Sequence, residues 1–179
     1  MKVELKVNGK TVQVEMTEEQ LKELGVIKER SRTGYERVEK SETYYVINTK
    51  DDSMMNITEF NDQTDERCYN TGNYYSDKTI AENNARADRL LRQLRQWQAQ
   101  NDEPISVEDW NNESKKKWFI IYSYSSEEMY AEYYYIMRLP NTIYFATKEK
   151  AEEAIEVFRD ELLWYFTEYV QRLDEMQND

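Results

Sequence analysis

Apolar and polar residues alternate from the first positions of the chain. Val3, Leu5 and Val7 alternate with Lys2, Glu4 and Lys6, and Val12, Val14 and Met16 alternate with Thr11, Gln13 and Glu15. Asn8-Gly9 separates the two runs, and both residues tolerate positive φ, so residues 2–16 are predicted to form a β-hairpin with one apolar face. Thr17-Glu18-Glu19-Gln20 is a capping box that predicts a short helix carrying Leu21 and Leu24, stopped by Gly25. Residues 28–34 are polar and read as a linker.

Glu42–Asn48, rich in aromatic and β-branched residues, predicts a strand. Asp51-Asp52-Ser53 turns the chain into a second alternating strand, Met55–Phe60. Residues 61–66 read as an acidic loop, and Tyr69–Tyr75 as an irregular strand interrupted by Gly72. From Lys78 to Ala99 the period changes: Ile80, Ala87, Leu90, Leu91, Leu94 and Trp97 recur at threes and fours, which predicts a helix with one buried face. Asn101-Asp102-Glu103-Pro104 ends it.

The same order then returns. Ser106–Trp110 reads as a capped turn, Lys117–Tyr122 and Tyr130–Leu139 as strands, and Pro140-Asn141 as a turn into Thr142–Phe145. A last helix is predicted from Lys148 to Met176, with Ala151, Ile155, Phe158, Leu162, Tyr165, Tyr169 and Leu173 near a heptad. Leu163, Trp164, Phe166 and Val170 make it apolar on further faces. It should therefore touch two surfaces, its own sheet and either the other copy or another chain, so a homodimer is one reading. The two helix starts are alike: Tyr74-Tyr75-Ser76-Asp77-Lys78-Thr79-Ile80-Ala81-Glu82 and Tyr144-Phe145-Ala146-Thr147-Lys148-Glu149-Lys150-Ala151-Glu152. Each reads as an aromatic strand end, an N-cap, a Lys and a helix. The expected class is α+β: a hairpin and short helix over 1–27, then two copies of a sheet-plus-long-helix unit over 35–103 and 104–179.

Composition sharpens this picture. Hydrophobic content of 39% against 34% charged would suit a disordered chain, but 15 Tyr, 5 Phe and 4 Trp predict a core built on aromatic rings. Net charge of −12 disfavours direct binding of free nucleic acid and suits a partner with a basic surface. One cysteine, Cys68, rules out an intramolecular disulfide, and with no His to act as its base the thiol reads as structural. With no His the usual zinc sets cannot form, and no Gly-rich strand-to-helix turn marks a nucleotide site. No carboxylate pair stands out for acid–base work, so the expectation is a non-enzyme without cofactor or metal. No apolar leader or membrane span is visible, which suggests the cytoplasm.

Three groups of residues are candidates for binding. Arg86, Arg89, Arg92 and Arg95 recur every third residue of the first long helix and would either contact nucleic-acid phosphates or pair with acids of the same chain, of which the last helix is rich. Asp62, Asp65 and Glu66, in the acidic loop, would offer carboxylates to a basic protein. Tyr130 and Tyr134 belong to a tyrosine cluster that is split between the two faces of a strand, one face core and the other either covered by the N-terminal hairpin and helix or exposed as a contact patch.

Some stretches also resemble a known group. Lys2-Val3-Glu4-Leu5, Asn8-Gly9-Lys10, Met16–Leu21, Gly34–Lys40 followed by a Tyr-Tyr strand, and the doubled helix start preceded by Arg67-Cys68-Tyr69-Asn70 are similar to small accessory proteins of phages and prophages of Gram-positive bacteria. Some such proteins are anti-CRISPR inhibitors of the type II nuclease Cas9. The resemblance implies a partner, Cas9 alone or with its guide RNA, in the bacterial cytoplasm, and it carries no binding residues across. The alternatives are a phage accessory module aimed at another host protein and a nucleic-acid binder using the arginine stripe.

Overall fold

The computed structural model describes residues 2–7, 10–24 and 32–175. Strands β1 (Lys2–Val7) and β2 (Lys10–Glu15) pair antiparallel with Val3 opposite Val14 and Leu5 opposite Val12. The Asn8-Gly9 turn, Gly25 and most of the 28–34 linker lie outside the described residues. Helix α1 (Glu18–Glu23) starts as its sequence demands: the Gln20 N–H donates to Thr17 Oγ1 at 3.2 Å, and Thr17 N–H donates to Gln20 Oε1 at 3.0 Å.

The remainder is α+β, with two hairpin-and-helix units in sequence. In the first, β3 (Thr43–Ile47) and β4 (Met54–Thr58) pair antiparallel. Helix α2 (Gln63–Asn70) follows, then α3 (Lys78–Asn101). In the second, helix α4 (Val107–Asn111) precedes β5 (Lys117–Ser123) and β6 (Glu128–Tyr134), and α5 (Lys148–Val157) and α6 (Arg159–Thr167) follow. The two helix starts are built alike. Tyr75 exchanges both backbone hydrogen bonds with Tyr45, at 2.8 and 3.0 Å, and Phe145 does the same with Trp118, at 3.0 and 2.7 Å. Two residues on, Asp77 caps α3 through the Ile80 N–H and Thr147 caps α5 through the Lys150 N–H. Lys78–Glu82 and Lys148–Glu152 then form matching pairs one turn apart.

Each hairpin has helices against both faces because its strands alternate apolar side chains to both sides. Ile47 packs with Ile80, Ala81 and Ala85 of α3, while Tyr44 and Val46 pack with Tyr74 and Cys68 on the α2 side. Ala131, Trp118 and Ile120 join Ala151 and Ala154 of α5 on one face of the second hairpin. On its other face Phe119 lies under Tyr134 and Tyr144, and Trp110 of α4 meets Tyr144 edge-on. Lys117, fully buried there, donates to the carbonyls of Asn112 and Tyr135.

The units share their interior. Leu90 and Leu94, in the C-terminal half of α3, belong to the same cluster as Phe145, Ala151 and Leu162. In return, Val170 and Leu173 pack against Ile80 and Ala85 of the first unit, and Leu173 N–H donates to Thr33 O at 3.0 Å. The expected long last helix is not continuous. Phe158 leaves helical geometry (φ −112°, ψ 20°), α6 ends at Thr167, and only a 3-10 turn, Leu173–Glu175, follows. The near-heptad pattern serves two surfaces in different directions, and breaking the helix lets each part meet its own. The Tyr169 hydroxyl donates to Asn84 Oδ1, and Asn83 donates to Val170 O, which holds this tail across α3. Met176, the expected end of the helix, is outside the described residues.

Two further expectations are corrected. Residues 63–70 are helix rather than loop and strand, because Asp62 and Asp65 form a reciprocal capping box that turns an acid-rich segment into a helix start. Strand β6 stops at Tyr134, where Lys117 takes the Tyr135 carbonyl, and residues 135–139 leave the sheet.

Candidate functional site

The acid-rich face with open access is a groove of about 490 Å³ between β6 and α5. Met129 and Tyr130 line one side, and Glu149, Glu152, Glu153 and Glu156 line the other, with Ile155 buried at the floor and Arg159 at the end. The sequence places them simply. Positions 149, 152/153 and 156 fall on one face of a helix, while Ala151, Ala154 and Ile155 turn inward. β6 pairs only with β5, so Tyr130 stands on an edge strand and is 42% exposed.

Three of the four glutamates have cations close by in sequence: Glu152 pairs with Lys148 at 2.9 Å and Glu153 with Lys150 at 2.7 Å within α5, and Glu156 pairs with Arg159 at the start of α6. The bond to Glu152 raises the Lys148 ammonium above its usual range. These pairs are exposed and one turn long, so each is weak and is readily exchanged for a cation from outside. Glu149 has no cation within ion-pair distance among the described residues. The groove therefore offers a row of carboxylates beside a methionine, a set suited to lysine and arginine side chains.

The acids singled out from the sequence have other tasks. Asp65 is buried, and its carboxylate accepts from the Tyr44 hydroxyl at 2.8 Å, Phe60 N–H at 2.8 Å and Asp62 N–H at 3.1 Å. Burial alone would raise its pKa, but these hydrogen bonds outweigh it and hold the carboxyl down at about 2. Asp62 Oδ1 accepts from Thr64 and Asp65 N–H groups as the α2 cap. Glu66 pairs with Arg37 at 2.6 Å, and Arg37 also reaches the fully buried Glu59, to which Tyr74 donates at 2.7 Å. These acids knit α2 to the first hairpin. Charge reversal at the buried Asp65 would disturb the fold before it tested a partner.

The tyrosines divide as well. Tyr134 stacks on Phe119 with centroids 5.0 Å apart and is half-buried, so it is a packing residue, whereas Tyr130, two pairs along the same face of β6, is exposed at the rim of the groove. The arginine stripe is split too. Arg86 forks Glu161 at 2.9 and 3.1 Å and lies 3.9 Å over the Trp164 ring, and Arg92 pairs with Asp52. The Arg86 bond lowers the Glu161 pKa. Arg89 and Arg95 are exposed with no carboxylate within ion-pair distance among the described residues. The stripe therefore joins the two units at Arg86 and the first long helix to the β3–β4 turn at Arg92.

Glu149, Glu152, Glu153 and Glu156 were visible from the sequence as acids of the last helix, but nothing local pointed to their neighbour across the groove. Their stripe spacing was the available signal. Their position opposite β6 depends on how α5 lies on the second hairpin. Among the described residues no group of three or more Asp, Glu or Cys side chains is placed to hold a metal, and no helix is long and apolar enough to cross a membrane. Comparison with protein-family models, curated proteins and solved structures gave no match.

Proposed function

We propose that the chain is a non-catalytic binding protein that takes a lysine- and arginine-bearing surface of a partner protein into the groove between β6 and α5. The observation that carries this reading is the alignment of Glu149, Glu152, Glu153 and Glu156 along one wall, opposite β6 at Met129 and Tyr130. Their spacing presents carboxylates as a row, and the net charge of −12 draws a basic surface toward it. The resemblance to phage accessory proteins supplies the partner: Cas9, alone or with guide RNA, whose nucleic-acid channel is positively charged. Occupying that channel would compete with nucleic acid and inhibit the nuclease. The site of action is then the cytoplasm of the bacterial host. The nucleic-acid reading has less support, since Arg86 and Arg92 are already paired within the protein.

The test is binding of the intact protein to immobilised Cas9, with and without guide RNA. Glu149→Lys with Glu153→Lys is expected to weaken binding by about tenfold or more. Arg89→Ala should leave binding unchanged. Cas9 binding that ignores the groove variants would overturn the proposed site, and no Cas9 binding at all would overturn the proposed partner.

A further inference from the structure

A second opening lies on another part of the molecule and is independent of the Cas9 reading. Between α3, α6 and the 140–143 loop is a cavity of about 250 Å³, lined by Leu90, Leu91, Ile120, Ile143, Tyr165 and Phe166 among others. It exceeds the roughly 150 Å³ apolar cavity that holds a benzene ring and falls just short of the about 300 Å³ at which drug-sized pockets begin. Its size therefore suits one ring or a short alkyl chain. Pro140, Asn141 and Thr142 form one wall, and the same three residues line the adjoining cleft together with Arg95 and Arg138. Leu91 and Arg95 are one helical turn apart, so α3 presents an apolar side chain to the cavity and a cation beside it.

The charge here is opposite to that of the whole protein. Neither Arg95 nor Arg138 has a carboxylate within ion-pair distance among the described residues. Arg138 instead lies 5.1 Å over the Trp110 ring, a contact that leaves its hydrogen-bonding edge free. Two uncommitted guanidinium groups at the side of an apolar cavity, in a chain of net charge −12, complement a ligand with an apolar body and an anionic head. We propose that this cavity binds a short apolar carboxylate, its chain among Leu90, Leu91, Ile143 and Phe166 and its carboxylate on Arg95 and Arg138.

The test is isothermal titration of the full chain with octanoate, compared with 1-octanol and octylammonium. Saturable one-to-one binding of octanoate is expected, about tenfold tighter than octanol, because one charge-assisted contact is worth about that factor. Arg95→Glu with Arg138→Glu should remove this advantage and leave octanol binding as it was. Leu91→Trp, which fills the cavity, should abolish binding of both. If that variant loses the native melting transition, Ile143→Phe is the substitute and should give the same loss. The proposal is overturned if octanoate gives no saturable binding, if its binding survives filling of the cavity, or if octylammonium binds as tightly. It is equally overturned if an acidic, leucine-bearing peptide binds and octanoate does not.

Discussion

Asp65 shows how one carboxylate decides a local structure. It sits at the third position of α2, so its side chain returns to the Asp62 N–H, and the Tyr44 hydroxyl then fixes it from the hairpin. Glu36 is held in a similar way: burial would raise its pKa, but the Thr33 hydroxyl, Thr33 N–H and Gly34 N–H bring it down to about 2. Both acids have a folded-state pKa below the ordinary carboxylate range near 4. Their contribution to stability is therefore complete above that range and is lost as pH falls through about 2. The urea midpoint should drop steeply between about pH 4 and 2, and Asp65→Asn should flatten that drop while lowering the midpoint at neutral pH. A midpoint indifferent to pH over this window would contradict the assignment. From the sequence Asp65 read as part of an acidic loop open to a basic partner. Nothing local marked Tyr44 as a donor to Asp65, a contact made only when α2 lies on the hairpin.

At the scale of elements, hydrophobic period and caps were the legible signals. α3 lies within two residues of its predicted bounds, since Asp77 stops the chain from joining the strand and Ile80, Leu90 and Leu94 hold one buried face. The doubled helix start was legible for the same reason, and each cap makes the same bond to the N–H three residues on. Asp77→Ala and Thr147→Ala should each cost about 1 kcal/mol in chemical denaturation. A loss confined to one of them would contradict the equivalence of the two starts. Helix α2 was not legible because acids at its start suggested a loop, and their capping role depends on backbone geometry. The break at Phe158 was also hidden, because a near-heptad pattern does not say whether its apolar positions face one surface or two.

For the whole molecule, the exchange between units matters most. The C-terminal half of α3 completes the second unit's core, and Val170 with Leu173 closes the first. A boundary near residue 104 divides the sequence but not the interior. Leu173→Ala should therefore lower stability by about 1–2 kcal/mol, less than a fully buried leucine, because Leu173 is only half-buried. Tryptophan fluorescence and far-UV signal should move together in one transition, since the interior is common to both units. Two separated transitions would refute a shared core. This arrangement also holds α5 against β6 and so keeps the row of glutamates along the edge of the second hairpin. The most direct test of that groove as a receptor for a basic surface is the affinity for Cas9–guide RNA measured at increasing salt. The account predicts a steady fall in affinity as salt rises from 50 to 500 mM, on the order of tenfold or more, because exposed carboxylates are screened over a Debye length of about 10 Å at 0.1 M. An affinity that stays constant across that range would contradict it.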